Sequence, residues 1–409
     1  MIHNRTNSRC ESQHLNCSEF INGNQKAIDL YASHGRIKLD RFLNLSMDCD
    51  SIRTRLFNDL PLFEELKRSI LFVRNVYQSY ELQEVFLLMN YHPDHYFCYA
   101  MDSKSDEKFK TSMRRLAGCF GNVYVLEKEY DFDKAGHHQD EAHFDCIEEL
   151  LAKNWNHAIT LQNFDLILKT PEQLSELSDI LNYTSIMGSD NALTERYDVN
   201  ASWTPAGMKL FKNENEVPKE ILHQRLVVRK SLNQVILSKV FVNAIFEKIN
   251  LKEIMKRFDN PSLFGVDEMM IMTLFENYLG LDGQMESNCT EAHEDELTRF
   301  TDWDFNQPDG PVPECKSKWL RHSICVLGVE YLKDLSNSPM ILANKVVESF
   351  DFGTVLCIRE MMKTKKMGRI PDSDWLSARF PQFREMQMKK NGTYDKGHFN
   401  CSTVEPRVE

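Results

Sequence analysis

Asp267 and Glu268 stand side by side in SLFGVDEMMIMTLFENYLG, residues 262 to 280, with Gly265 before them and Gly280 closing the stretch. The run from Met269 to Phe275 is apolar on almost every face, the pattern of a buried helix. A carboxylate at the start of such a helix meets the positive end of its dipole. Two readings follow. The pair caps the helix and supplies its acidic first turn, or Glu268 projects into a cleft as a general base, which requires hydrogen-bond reach of the proton to be taken.

A third carboxylate, Asp102, ends the strand pattern YFCYAMD. Ligands bind at the carboxyl edge of open α/β sheets, where a carboxylate accepts from ribose hydroxyls or a base edge. The alternative is a plain strand-to-helix turn residue. Metal-dependent sugar-nucleotide transferases carry Asp-x-Asp after a strand, and three triplets fit: Asp48-Cys49-Asp50, Asp131-Phe132-Asp133 and Asp302-Trp303-Asp304. None follows a convincing core strand. Where the motif belongs stands Met101-Asp102-Ser103-Lys104, so a functional Asp-x-Asp is not expected. GxSxG, Walker, GxGxxG and HExxH patterns are absent.

The elements that must position these acids begin at Ser69, where strand and helix signals start to alternate, the mark of an α/β fold with a largely parallel sheet. Strands are expected over 69–77, 96–102, 122–131 and 157–161. Ser105 is expected to cap the helix after Asp102. Thr170, Pro171 and Gln173 form a capping box. Residues 182–220 read as loops, which in a compact domain are usually functional or disordered, and two helices are expected over 233–248 and 251–258. WLRHSICVLG reads as a strand. Residues 1–66 are polar and read as a stem and strap, 67–366 as the catalytic domain, and 367–409, with Pro371, Pro381 and Pro406, as a peripheral tail.

Composition narrows the class. With 409 residues, 42% hydrophobic and 27% charged, the chain buries a substantial core. A formal net charge of -12 argues against a nucleic-acid partner. Eleven cysteines without a CxxC pair leave buried thiols or disulfides. Eight N-x-S/T sequons, at Asn4, Asn16, Asn44, Asn182, Asn200, Asn288, Asn391 and Asn400, favour disulfides and a secretory-pathway protein; residue frequencies predict roughly three. No run of 18 apolar residues and no signal-peptide core is visible, so the segment that carries the chain into the lumen is not seen.

The succession YFCYAMDSK, LAGCFGNVYV, HFDCIEELLAKNWNHAITLQNFDLILKT, FGVDE, SICVLG and LANK resembles the core 2/I-branching β-1,6-N-acetylglucosaminyltransferases, glycosyltransferase family 14, over roughly residues 10 to 366. The resemblance implies a GT-A-like fold with a Rossmann-like nucleotide-binding half. It implies inverting, metal-independent transfer from UDP-N-acetylglucosamine to a 6-hydroxyl of a glycan acceptor in the Golgi lumen, with an N-terminal membrane anchor not seen here and no further cofactor.

Carried over by position, Asp102 contacts the uridine, Glu268 is the base and Asp267 caps its helix. Lys345 of LANK and His322, which stands where the family has arginine, face the diphosphate. On a strand, Arg321 points the other way and cannot replace that arginine without a bulge. Trp303 and Phe305, the latter where tyrosine is usual, belong to the acceptor side. The family's disulfides map to Cys17–Cys357, Cys49–Cys119, Cys98–Cys146 and Cys315–Cys325. Cys10, Cys289 and Cys401 are left over; Cys289 and Cys401, each within a sequon, are expected to be exposed, and one is expected to pair with Cys10 or with a second chain as a disulfide-linked homodimer. Two other readings remain: a catalytically weakened glycan-binding relative, favoured by His322, and a xylosyltransferase of the same family.

Overall fold

A sheet of four parallel strands forms the centre of the molecule, seen in a computed structural model that describes residues 15–39, 44–57, 63–287, 289, 297–303, 315–364 and 367–402. Strands β1 (Ile70–Val76), β2 (Tyr96–Asp102), β3 (Val123–Tyr130) and β4 (His157–Leu161) pair in parallel in the order β3-β2-β1-β4. β5 (Ile236–Ser238) adds antiparallel to β4. β1 is buried at every position, as a central parallel strand covered on both faces must be. Its side chains alternate: Leu71 and Val73 join one core with Phe144 and Ile147, whereas Ile70 and Phe72 join another with Met113, Leu174 and Leu177.

Helices α1 (Cys17–Ile21), α2 (Gln25–Ser33) and α3 (Cys49–Phe57) precede the sheet, and α4 (Tyr80–Asn90), α5 (Glu107–Ala117), α6 (Gln139–Glu149) and α7 (Pro171–Leu181) follow successive strands. α7 begins in the expected capping box, with both Thr170 and Gln173 bonds formed. The cap of α5 is Asp106, whose carboxylate accepts from Phe109 N; Ser105 instead donates to Tyr77 O at 2.9 Å. Residues 236–238, expected within a helix, form β5 because their backbone pairs with β4, and helix α8 (Lys239–Lys248) starts only after Ser238 caps it. α9 (Leu251–Phe258) follows.

The N-terminal strap is fastened rather than draped. Phe20 and Tyr31 are buried, Cys17 is joined to Cys357 on helix α11 (Glu348–Lys363), and Arg36 pairs with Glu330 and with the buried Asp351. Cys49–Cys119, Cys98–Cys146 and Cys315–Cys325 are also joined.

Two expectations fail at the C-terminal end. α12 (Ser373–Arg379) and α13 (Pro381–Lys390) are docked, with Leu376, Phe380 and Phe383 buried, so this is no peripheral tail. Cys289 is buried and bonded to Cys401. A cysteine beside a sequon asparagine need not share its exposure, because only the asparagine must reach solvent. Cys10 lies outside the described residues, as do Asn4, Asn288 and Phe305. Asn16, Asn44, Asn200, Asn391 and Asn400 are exposed, and Asn182 is half-buried at the end of α7. Among the described residues no helix is long and apolar enough to cross a membrane.

Candidate active site

The acidic pair lies on a 3-10 turn, Val266–Glu268, from which α10 (Met270–Glu276) continues. Gly265 enters the turn at φ +69°, a left-handed conformation suited to glycine, and the N–H groups of Gly265 and Val266 donate to Ala135 O at 2.8 and 3.1 Å. The loop after β3 thus accepts the N–H groups at the entrance to the turn, and neither the turn nor α10 has a side-chain cap, so Asp267 does not take the capping role expected of it. Its Oδ2 accepts from Asn233 Nδ2 at 2.7 Å, while its Oδ1 lies so close to Gly136 that a Cβ there would stand 2.0 Å away.

Glu268 is held separately. Its Oε2 pairs with the guanidinium of Arg196, on the 3-10 turn Thr194–Arg196, and its main-chain oxygen accepts from Ser231 N at 2.8 Å. Burial and the adjacent Glu268 push the Asp267 carboxyl up to about 7, against the Asn233 bond and the attraction of Arg299. Asp140, at the head of α6, is driven well above the carboxylate range by burial and by the charges of Asp267 and Asp259, and its Oδ1 is buried without a hydrogen-bond partner.

The cationic side is built from three segments. WLRHSICVLG is not one strand. Leu320–Arg321 and Ile324–Cys325 pair antiparallel around His322 and Ser323, whose φ values are +56° and +59°, the backbone of a tight primed turn. His322 therefore sits exposed at a hairpin tip, and strand alternation no longer separates it from Arg321. The Arg321 guanidinium donates to Tyr77 OH at 3.2 Å and lies 4.9 Å from the Phe164 ring centroid. The His322 ring is held below its usual range by partial burial and by the positive charges of Lys345, Arg321 and Lys134. Burial pushes Lys345 down to about 8, with Arg321 and Arg299 adding to the effect and Asp165 opposing it. Lys345, Arg321 and His322 thus form one electrostatic group, with Lys134 contributed by the loop after β3.

Two uncharged residues join the sides. Asn233 holds Asp267, and its neighbour Gln234 accepts from Arg299 at 2.8 Å while donating to buried Asp165 at 2.9 Å. Asp165 also accepts from Asn344 Nδ2 at 2.6 Å, next to Lys345. Arg299 lies 5.7 Å from the ring of Trp303, which bridges to Ile324 just beyond the His322 turn. Asp102, buried at the end of β2, accepts from Lys104 N at 3.0 Å, and Lys104 pairs with Asp131 in the loop that carries Lys134 and Gly136. That loop therefore touches the surroundings of Asp102, His322 and Asp267.

Described members of the Asp-x-Asp triplets make local hydrogen bonds. Asp48 accepts from Ser51 N, Asp133 from Ala135 N and His137, and Asp302 from Tyr331 OH; Asp304 lies outside the described residues. Among the described residues no cluster of three or more His, Cys, Asp or Glu is arranged to hold a metal.

A parallel sheet whose carboxyl edge gathers adjacent acids on one side and lysine and arginine on the other is the outline of an α/β enzyme acting on an anionic substrate. The chain belongs to the family described as Core-2/I-Branching enzyme, whose sequence model matches residues 70–336. It is a glycosyltransferase of the β-1,6-N-acetylglucosaminyltransferase type. It is 22% identical over 388 residues to the Homo sapiens beta-1,3-galactosyl-O-glycosyl-glycoprotein beta-1,6-N-acetylglucosaminyltransferase, with 87% of this chain and 86% of that protein covered. To the Rattus norvegicus protein of that name numbered 3 it is 23% identical, covering 86% and 83%. A Bovine herpesvirus 4 relative is also 23% identical, covering 86% and 82%. Among solved structures, the S. cerevisiae mannosyltransferase Ktr4p covers 61% of this chain and 80% of its own at 10% identity and a TM-score of 0.26, too slight a likeness to bear on the fold.

Proposed function

We propose that this enzyme, on a GT-A-like scaffold, transfers N-acetylglucosamine from UDP-N-acetylglucosamine to the 6-hydroxyl of a glycan acceptor, with inversion and without a divalent metal. The observation that carries the reading is the split partnering of the acidic pair: Arg196 holds Glu268 and Asn233 holds Asp267, beside a cationic group centred on Lys345. Glu268 takes the acceptor hydroxyl proton. The oxygen attacks C1 from the face opposite the diphosphate, the C1–O bond to UDP breaks, and its electron pair leaves on the phosphate. Lys345, with His322 and Arg321, stabilises that developing charge. Asp102 receives the uridine, and Trp303 and Phe305 the acceptor sugar. The work belongs to the Golgi lumen, where the disulfides persist, and Cys10 is the cysteine through which a second chain would be linked.

Transfer from UDP-N-acetylglucosamine to an array of O-glycan acceptors in EDTA tests the reading. Turnover that persists in EDTA and is lost in Glu268→Gln is the expected result; a requirement for metal, or preference for UDP-xylose, overturns it. The second reading, a weakened glycan-binding relative, rests on His322, which is held below its usual range where a permanent charge would serve a leaving diphosphate. Retained UDP binding without turnover is its signature.

A further inference from the structure

Glu268 and Asp267 are adjacent acids, and two carboxylates that close do not ionise independently. Their partners differ in charge. Asp267 has the neutral amide of Asn233, and Glu268 has the guanidinium of Arg196. Arg196 lies against the turn itself: a Cβ on Gly265 would stand 2.7 Å from its Nη1, and the φ of +69° there is what calls for glycine. Glu268 and Arg196 side chains each keep 23% exposure, so the pair is open to solvent. The other charged groups around the acids are Arg299, which attracts Asp267, Asp140, which repels it, and Asp259, which acts on Asp140 and is itself paired with His138 at 3.2 Å. None of these is bonded to Glu268.

We propose that Arg196 is a positioning residue for Glu268: it fixes Oε2 and assigns the negative charge of the adjacent acids to Glu268, so that the base is the ionised member of the pair. This rests on the reading of Glu268 as the base. The proton that the pair retains near neutral pH then resides on Asp267, between Asn233, Gly136 and the acids behind it. A carboxylate bonded in this way presents a fixed direction to the incoming hydroxyl, which is the geometric requirement on a general base.

The test compares wild type with Arg196→Gln, Arg196→Lys and Glu268→Gln, using UDP-N-acetylglucosamine and a p-nitrophenyl β-1,3-galactosyl-N-acetylgalactosaminide as probes over pH 5.5 to 9. In Arg196→Gln the acid limb of kcat/KM moves to higher pH, with a loss of roughly tenfold at pH 6.5 that shrinks to under roughly threefold at pH 8.5. Arg196→Lys restores the limb and leaves kcat reduced, because the charge returns without the planar fork. A second readout needs no turnover: the carboxyl 13C titration of Glu268, assigned by its disappearance in Glu268→Gln, rises in Arg196→Gln. An unmoved titration, or a change in acceptor KM alone, overturns the proposal. Undiminished activity in Glu268→Gln would instead remove the base assignment itself.

Discussion

Lys345 offers the most quantitative check on where the diphosphate goes. Burial and the neighbouring Arg321 and Arg299 push its ammonium down to about 8 from a usual value of 10.5, a bias against the charged form of about 3 kcal/mol. A diphosphate beside it reverses the sign: the anion favours the protonated lysine, so binding must take up a proton wherever the free lysine has lost one. At pH 8 the free lysine is about half protonated, so UDP binding takes up about 0.5 proton, rising to about 0.9 at pH 9 and falling to about 0.03 at pH 6.5. Phosphate and His322 titrate lower and contribute little in that upper range. Isothermal calorimetry of UDP binding in buffers of different ionisation heat, in EDTA, counts the protons directly, and Lys345→Met is the control. Uptake below about 0.1 proton at pH 9, or uptake unchanged in Lys345→Met, refutes the assignment of Lys345 to the diphosphate.

Two further outcomes follow from particular bonds. Cys289→Ser with Cys401→Ser opens a link across 112 residues that fastens the docked C-terminal segment; the denaturation midpoint should report a loss of about 4 kcal/mol, and an unchanged midpoint would mean that α12 and α13 hold without it. His322→Arg places a permanent charge at the hairpin tip beside Lys345 and is expected to raise kcat at least about tenfold at neutral pH; equal kcat in the two proteins would show that Arg321 and Lys345 already meet the need.

The parts of the fold that could be read in advance are those whose signal is complete within one segment. β1, β2 and β4 are short apolar runs because they are buried on both faces, β3 at the sheet edge is recognised by its β-branched and aromatic start, and the α7 capping box is complete in four residues. β5 escaped because three residues at a sheet edge carry no period, and the apolar stretch that continues into α8 reads as helix. The His322–Ser323 turn escaped because primed turns usually declare themselves by Asn-Gly or Asp-Gly, and here neither stands at the tip. Pro381 suggested a loose tail, whereas it occupies the first turn of α13, where a missing N–H costs nothing.

The site divides in the same way. Asp102 and the acidic pair were visible as residues, but Arg196, Asn233, Gln234 and Arg299 were not, because each acts through a partner far along the chain: Arg196 on Glu268 across 72 residues, Asn233 on Asp267 across 34, and Gln234 on Arg299 across 65. The only advance signal was a long loop region around Arg196 and a polar dipeptide just before an apolar triplet. Yet Asn233 and Gln234 explain how acids and cations share one hydrogen-bonded network without collapsing onto each other. An amide has a donor end and an acceptor end, so Gln234 can face Arg299 with its oxygen and Asp165 with its nitrogen, fixing both charges while adding none. A charged residue at position 234 would satisfy one neighbour and repel the other. The acidic pair and the group around Lys345 are therefore joined through neutral side chains, which under the proposed reading leaves the charges themselves to meet a substrate.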